Sequence, residues 1–311
     1  MCEGECEIEC VKDGEQNRAR EMGADRSSGR KLSGMREFEG ARLNYLVGWH
    51  GPPIVFLGPT PFDMGFWTPM ILPLREKVGD YRQIFVDMRG HGGSELGTNL
   101  PVGGFARVPD APVLSISQLA RDVIEVASTQ LQSAVFVGCS IGGYVALEIW
   151  RTRPEIVKAL AFICSKAQAD SETDLARRAG IIARARAGET SMLLDGMAQT
   201  LLGATAREQR PHLVPEVRNR MVITPEALVA VQAGLATRQD SMPTVATIDV
   251  PVLAIAGGED LSAKPTDVEA FKAAPGGCEF HVIPDAGHLA AYEKPEEVLV
   301  IFGEWLGRVT S

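Results

Sequence analysis

No stretch of about 18 residues in this 311-residue chain is both apolar and free of charge, so a transmembrane helix is not expected. A basic excess is missing too. Lys and Arg number 31 against 40 Asp and Glu, and the net charge of -9 opposes binding to nucleic acid or to an anionic membrane. Cysteine is scarce, six in all, and Cys139, Cys164 and Cys278 show no paired spacing, which fits a reduced compartment better than a disulfide framework. The first 34 residues lack the basic-then-apolar order of a secretory signal, so the expected location is cytoplasmic. The glycine-rich turn around Ser140 matches neither a dinucleotide fingerprint nor a phosphate loop; no cofactor and no resident metal are expected. Histidine occurs only five times, so chemistry that needs an imidazole has few candidates. Nothing in the composition specifies an oligomeric state.

What the chain does have is apolar content. At 45% hydrophobic residues it can bury a large core, and one α/β domain of roughly 250 residues plus an insertion accounts for its length. Residues 1–34 stand apart. They are charged, nearly free of large apolar side chains and rich in Glu, Arg, Gly and Ser, and they read as a disordered tail. Cys2, Cys6 and Cys10 recur every four residues, which on a helix would align three thiols for a soft metal, but no histidine accompanies them before His50. Met22 and Met35 would each allow a later start.

Short apolar runs at Leu43–Val47, Ile54–Leu57, Ile84–Val86, Val135–Val137 and Leu160–Cys164 read as strands, with helical patterns between them. Ser115 and Gln118 have capping-box spacing ahead of a helix whose apolar face carries Leu119, Val123 and Val126. The long connection from Glu95 to Ser115 is placed to overhang a site. From 165 to 249 strand signals vanish and Ala, Leu, Met and Arg dominate, which indicates a helical cap inserted between core segments 35–164 and 250–311. Within it Met192, Leu193, Leu194, Met197, Leu201 and Leu202 read as packing between cap and core, with the lining of an apolar pocket as the alternative, and Arg177, Arg178, Arg184 and Arg186 as a solvated face. An arginine turned inward would favour a substrate bearing a carboxylate.

The segment Ala134-Val-Phe-Val-Gly-Cys-Ser140-Ile-Gly-Gly-Tyr-Val-Ala146 joins an apolar run to a helical pattern through Gly138-Cys139-Ser140-Ile141-Gly142. Glycines two residues either side of a serine let strand and helix approach while the hydroxyl is held outward on a strained turn, the arrangement of a nucleophile. Serine is a poor nucleophile at neutral pH and needs a base and an orienting acid. His288, in a loop after the strand-like Phe280–Ile283, is the candidate base, and Asp260, closing the run Pro251–Asp260, the candidate acid. Glu259 competes with Asp260, and Asp267 and Asp285 are further alternatives. His50, His212 and His281 lack such a setting. Cys139 is expected to be a small buried side chain rather than a reactive thiol.

The order Ser140, Asp260, His288, the turn Asp87-Met-Arg-Gly-His-Gly-Gly-Ser94 and the ending Gly287-His288 with Glu293-Lys-Pro-Glu296 together resemble the α/β-hydrolases over residues from about 36 to 309. That resemblance implies a mostly parallel, doubly wound sheet with a helical cap, and makes His91 a structural turn residue. Within the family, the segments Ser165–Asp170 and Ala236–Asp240 are similar to enol-lactonases and small-ester hydrolases, the 3-oxoadipate enol-lactonases among them. One departure stands out: where the family usually shows H-G-x-P, this chain has Gly58-Pro59-Thr60-Pro61. In that register the Thr60 and Ile141 N–H groups form the oxyanion hole, and Pro59, which has no N–H, falls on the glycine position. The implied activity is hydrolysis of a small-molecule carboxylic ester or lactone through an acyl-enzyme. Carbon-carbon bond hydrolysis is an alternative, as is a non-hydrolytic receptor or lyase on the same scaffold.

Overall fold

The computed structural model describes residues 32–128 and 133–310. Eight strands form one sheet: β1 (Leu32–Phe38), β2 (Ala41–Gly48), β3 (Pro53–Leu57), β4 (Arg82–Val86), β5 (Ala134–Cys139), β6 (Val157–Ile163), β7 (Val252–Gly257) and β8 (Cys278–Ile283). Their order is β1-β2-β4-β3-β5-β6-β7-β8. β1 and β2 run antiparallel to their neighbours, and the other six strands are parallel. The register lays Leu57 beside Gly138, Cys139 beside Ile163, and Gly257 beside Ile283. The carboxyl ends of β3, β5, β6, β7 and β8 therefore reach one edge, and the loops beyond them converge there, where ligands of open α/β sheets bind.

The central strands are apolar because both faces are covered. All six residues of β5 are buried, and their side chains alternate between two cores. Phe136 packs with Leu119 and Val123 of α2 (Ile116–Ser128) and Val145 of α3 (Ile141–Thr152). Val135 and Val137 face the opposite layer, made by α1 (Thr68–Val78) and α12 (Pro295–Thr310), with Phe302 and Trp305 fully enclosed. Between β6 and β7 lie α4 (Glu172–Arg186), α5 (Thr190–Leu201), α6 (Ala204–Gln209), α7 (Leu213–Asn219), α8 (Pro225–Ala236) and α9 (Met242–Val245), with no strand of the sheet among them. The remaining short helices, α10 (Pro265–Glu269) and α11 (Ala290–Glu293), flank the last two strand ends. α8 is buried on nearly every side, and Phe105 and Val113 of the long 95–115 connection pack beside its Leu228 and Ile182 of α4.

Three expectations need adjusting. The antiparallel edge strand β1 was absent from the series, and it begins at Leu32, inside the segment assigned to a tail. Alternation is weak there because β1 is the outermost strand and mostly exposed. Cys164 lies past the end of β6, at φ 48°. The capping box of α2 is half made: Ser115 Oγ accepts from the Gln118 N–H at 3.1 Å, but the Gln118 amide donates to Asp122 Oδ1 at 3.0 Å instead of turning back. Cys2, Cys6, Cys10 and Met22 lie outside the described residues. No helix among the described residues is long and apolar enough to cross a membrane.

The competing pull on Gln118 comes from an ion pair. Arg89 and Asp122 are both almost fully enclosed and meet through two bonds, Nε to Oδ2 at 2.8 Å and Nη2 to Oδ1 at 2.7 Å. Arg89 also donates to the carbonyls of Phe38 (3.0 Å) and Glu39 (3.2 Å), which ties the β1–β2 turn to α2. Removing one partner leaves a buried charge alone, which typically costs about 3–5 kcal/mol. Asp122→Ala should lose stability of that order in urea unfolding, and a loss under about 1 kcal/mol would show that the pair is not a structural anchor.

Candidate active site

β5 ends at Cys139 and α3 begins at Ile141, so Ser140 alone makes the turn, at φ 54° and ψ -118°. That left-handed φ is uncommon for a residue with a side chain, and the surrounding glycines make the turn possible. A Cβ on Gly138 would stand 2.4 Å from the Gly142 carbonyl carbon, and one on Gly142 would stand 2.1 Å from the Leu57 oxygen. The Ser140 N–H donates to the Ile163 carbonyl at 3.2 Å, and the Ser140 carbonyl accepts from Gly143 N–H at 2.9 Å and from Ser165 Oγ at 2.8 Å.

His288 sits in the loop between β8 and α11, with Nδ1 2.7 Å from Asp260 Oδ2. Asp260 Oδ1 accepts from the Ser262 and Ala263 N–H groups at 2.7 and 3.1 Å, so both of its oxygens are engaged. A carboxylate only accepts, which places the imidazole proton on Nδ1 and leaves a lone pair on Nε2. His288 and Ser140 share the wall of a cavity of about 120 Å³, without a direct hydrogen bond between them among the described residues. The competing acids bond elsewhere. Glu259 accepts from Thr205 N–H (2.9 Å) and Oγ1 (2.6 Å), Asp267 from the Lys264 N–H (3.0 Å), and Asp285 pairs with Lys294.

Thr60 and Ile141 line the same cavity, and neither N–H donates to an acceptor among the described residues. The Thr60 side chain is committed. His91, fully buried, has Nδ1 3.0 Å from the Arg89 carbonyl and Nε2 2.9 Å from Thr60 Oγ1. Since the carbonyl can only accept, Nδ1 carries the proton and the threonine hydroxyl donates to Nε2. Burial pushes the His91 pKa down and keeps the ring neutral.

Residues 46–300 match the profile described as the alpha/beta hydrolase family. The chain belongs to that family. It is 28% identical over 257 residues, 81% of this chain, to 3-oxoadipate enol-lactonase 1 of Acinetobacter baylyi, covering 88% of that protein. Among solved structures, a thermophilic esterase from Thermogutta terrifontis aligns at 25% identity and TM-score 0.77, over 91% of this chain and all of that one (100%). The enol-lactonase of Burkholderia xenovorans shares the fold at 23% identity and TM-score 0.75, over 88% and 99% of the two chains.

Other features of this alpha/beta hydrolase were not legible beforehand. Asp87 organises the Asp87–Ser94 turn, accepting from Met64 N–H (2.6 Å), Asn44 Nδ2 (2.7 Å) and Gly93 N–H (2.8 Å). Arg184 and Arg186 are exposed as expected, whereas Arg178 corrects the reading of a solvated face. It is buried in the cavity wall, bonded to Asp170 and, through Nη1, to Gln232 Oε1 at 3.0 Å. Lys166 and Arg177 join it there. Helical spacing could not reveal this, because the polar partners Asp170 and Gln232 come from a loop and from α8. Of the six residues read as packing between insertion and core, Leu193, Leu194, Leu201 and Leu202 are buried, Met192 is exposed, and Met197 and Leu201 reach the cavity. Glu293 has zero exposure and accepts from three backbone N–H groups, yet nothing in its sequence setting announced them.

Cys139 and Cys164 are fully buried, and desolvation, with the Asp260 charge adding to it, holds both thiols well above their usual range. Burial also pushes Cys278 up to about 12. A raised pKa lowers the thiolate fraction at any working pH. Iodoacetamide at pH 8 should therefore leave these three cysteines unmodified in the folded protein and alkylate all of them after unfolding, read by peptide mass spectrometry. Rapid native labelling of Cys139 would contradict this.

Proposed function

We propose that this hydrolase cleaves a small-molecule carboxylic ester or lactone through an acyl-enzyme, with Ser140 as nucleophile, His288 as base and Asp260 as the orienting acid. The observation that carries the reading is the 2.7 Å His288–Asp260 bond, set on the wall of the cavity that Ser140 also lines. With the proton on Nδ1, the Nε2 lone pair is available to take the Ser140 proton as the hydroxyl attacks the carbonyl. The negative charge that develops on the carbonyl oxygen is received by the Thr60 and Ile141 N–H groups, which have no internal acceptor among the described residues to compete for them. The imidazolium then protonates the leaving group, and His288 draws a proton from water in the second step to free the acid. Asp260 holds the tautomer throughout and stabilises the cation. In a lactone the leaving alcohol remains attached to the acyl chain, so one hydroxy acid is released. The helices of 165–249 act as the cap over this site. Pro59 removes no donor in this arrangement, and the receptor and lyase readings gain no support from the loop.

The cavity wall also suggests which esters. Lys166, Arg177 and Arg178 line it, and no carboxylate side chain does among the described residues, in a chain whose net charge is -9. Arg178 is held by Asp170 and Gln232, but Lys166 has only a 3.4 Å approach to Asp174 and keeps donors to offer. A substrate carrying a free carboxylate fits this wall better than a neutral one.

Two measurements test these points. Ser140→Ala should abolish ester or lactone turnover by on the order of 10⁶-fold with near-UV circular dichroism unchanged, and wild-type rates in the pure, folded variant would refute the nucleophile. Lys166→Met should lower kcat/KM for a carboxylate-bearing ester by about 10-fold or more while changing a neutral ester of equal size less than about threefold. Equal losses on both esters would mean that Lys166 only supports the fold.

A further inference from the structure

The short connection between α5 and α6 is bonded to both loops of the proposed triad. Toward the base loop, the Leu201 carbonyl accepts from the His288 N–H at 2.9 Å. Its Gly203 N–H donates to Glu293 Oε2 at 2.9 Å, and that same carboxylate receives the N–H groups on either side of His288, Gly287 at 3.0 Å and Leu289 at 3.2 Å, both on Oε1. Three consecutive amides of the base loop are thus engaged. Toward the acid loop, Thr205 donates through N–H (2.9 Å) and Oγ1 (2.6 Å) to Glu259, the residue before Asp260. Backbone lies directly on backbone between this connection and the base loop: a Cβ on Gly287 would stand 2.2 Å from the Gly203 nitrogen, and one on Gly203 2.8 Å from the Gly287 nitrogen.

A carboxylate is the group this position calls for. Three N–H donors from two separate parts of the chain meet in a site closed to water, and only an acceptor with two oxygens satisfies them all. The same α5 that ends in this connection presents Met197, Thr200 and Leu201 to the cavity. A ligand that shifts the end of α5 therefore pulls on the Leu201 carbonyl and on the amides around His288 together.

We propose that Glu293 is a positioning residue for His288 and that, with the Leu201–Thr205 segment, it makes the seating of α5 and the orientation of the base one mechanical unit. The proposal rests on the assignment of His288 and Asp260 to the triad. Ligand contact made by α5 is then expressed in the rate of the chemical step and not only in affinity.

Glu293→Gln replaces one acceptor oxygen by an NH₂ group that faces N–H donors. The expected result is a fall in kcat of about 10- to 10²-fold with KM little changed, because a displacement of the base by about 1 Å is enough for a loss of that size. A second readout needs no turnover: the low-field proton resonance of His288 Nδ1, held against Asp260 in the wild type, should broaden or disappear in the variant. Thr205→Val, which leaves the triad and the cavity wall intact and removes the hydroxyl bond to Glu259, should act in the same direction with a smaller effect, and it carries the test if Glu293→Gln does not fold. Folded variants with wild-type kcat and an unchanged His288 resonance would overturn the proposal, even if their melting temperatures were lower. A wild-type protein that neither hydrolyses esters nor reacts with a fluorophosphonate would instead defeat the hydrolase reading, and the proton resonance would still decide whether Glu293 positions His288.

Discussion

The carbonyl oxygen of Leu57 lies 2.1 Å from where a Cβ on Gly142 would be, and the Gly142–Gly143 peptide lies 2.4 Å from where one on Gly138 would be. These contacts between main chains set how closely α3 docks on the ends of β3 and β5. The distance in turn fixes Ser140 in its left-handed conformation and brings the Ile141 N–H, the first of the helix, beside the loop that carries Thr60. Helix N-termini leave such N–H groups without internal partners. In the proposed reaction, the site for the developing negative charge then follows from the packing itself, with no added side chain. The parallel register supplies the rest, because strands that end at one level deliver their loops to one place.

Much of this was legible because it is local. Glycine spacing around Ser140 and apolar runs of strand length each answer to a constraint within a few residues of themselves. The central strands were found from their apolar content, which two covered faces demand. β1 was missed for the converse reason: an exposed edge strand buries too little to leave a period-two signal. Asp260 could be ranked above Glu259 only by loop position, whereas the fold separates them by partner, Asp260 to His288 and Glu259 to Thr205. Arg178 and Glu293 were opaque for one shared reason. Asp170 and the Gly287 and Leu289 amides are near them in the chain, but their burial is completed by groups far away, Gln232 for the first and Gly203 for the second, and no local pattern encodes a partner 54 or 90 residues off.

The polar groups around the cavity are arranged so that few remain undecided. His91 takes the Thr60 hydroxyl, which fixes that side chain against the Asp87–Ser94 turn and leaves the amide as the group Thr60 can present. Asp260 spends one oxygen on two backbone N–H groups and the other on His288, so its orientation does not depend on the histidine. Such satisfaction matters because an unpaired buried donor or acceptor costs about 1–3 kcal/mol, enough to rotate a side chain out of a working geometry.

In the proposed reading, two electropositive features serve the cavity from different parts of the chain. The Thr60 and Ile141 amides come from core loops, and the cations come from the short stretch holding Lys166, Arg177 and Arg178. The second set is anchored by residues of its own neighbourhood: Asp170 binds both Arg178 and Arg238, Arg238 lies 4.2 Å over the Tyr144 ring, and Asp174 closes the capping box of α4. The cations can therefore change with the 166–178 stretch while the amides stay as the strand ends set them. In the proposed reaction the amides answer to the charge that appears during acyl transfer and the cations to a charge the substrate already carries. The first kind of contact strengthens in the transition state and raises kcat, and the second is present from binding onward and acts mainly through KM. Variation in the 166–178 stretch should thus alter which esters are taken up, whereas variation at Thr60 or Ile141 should alter how fast any of them reacts.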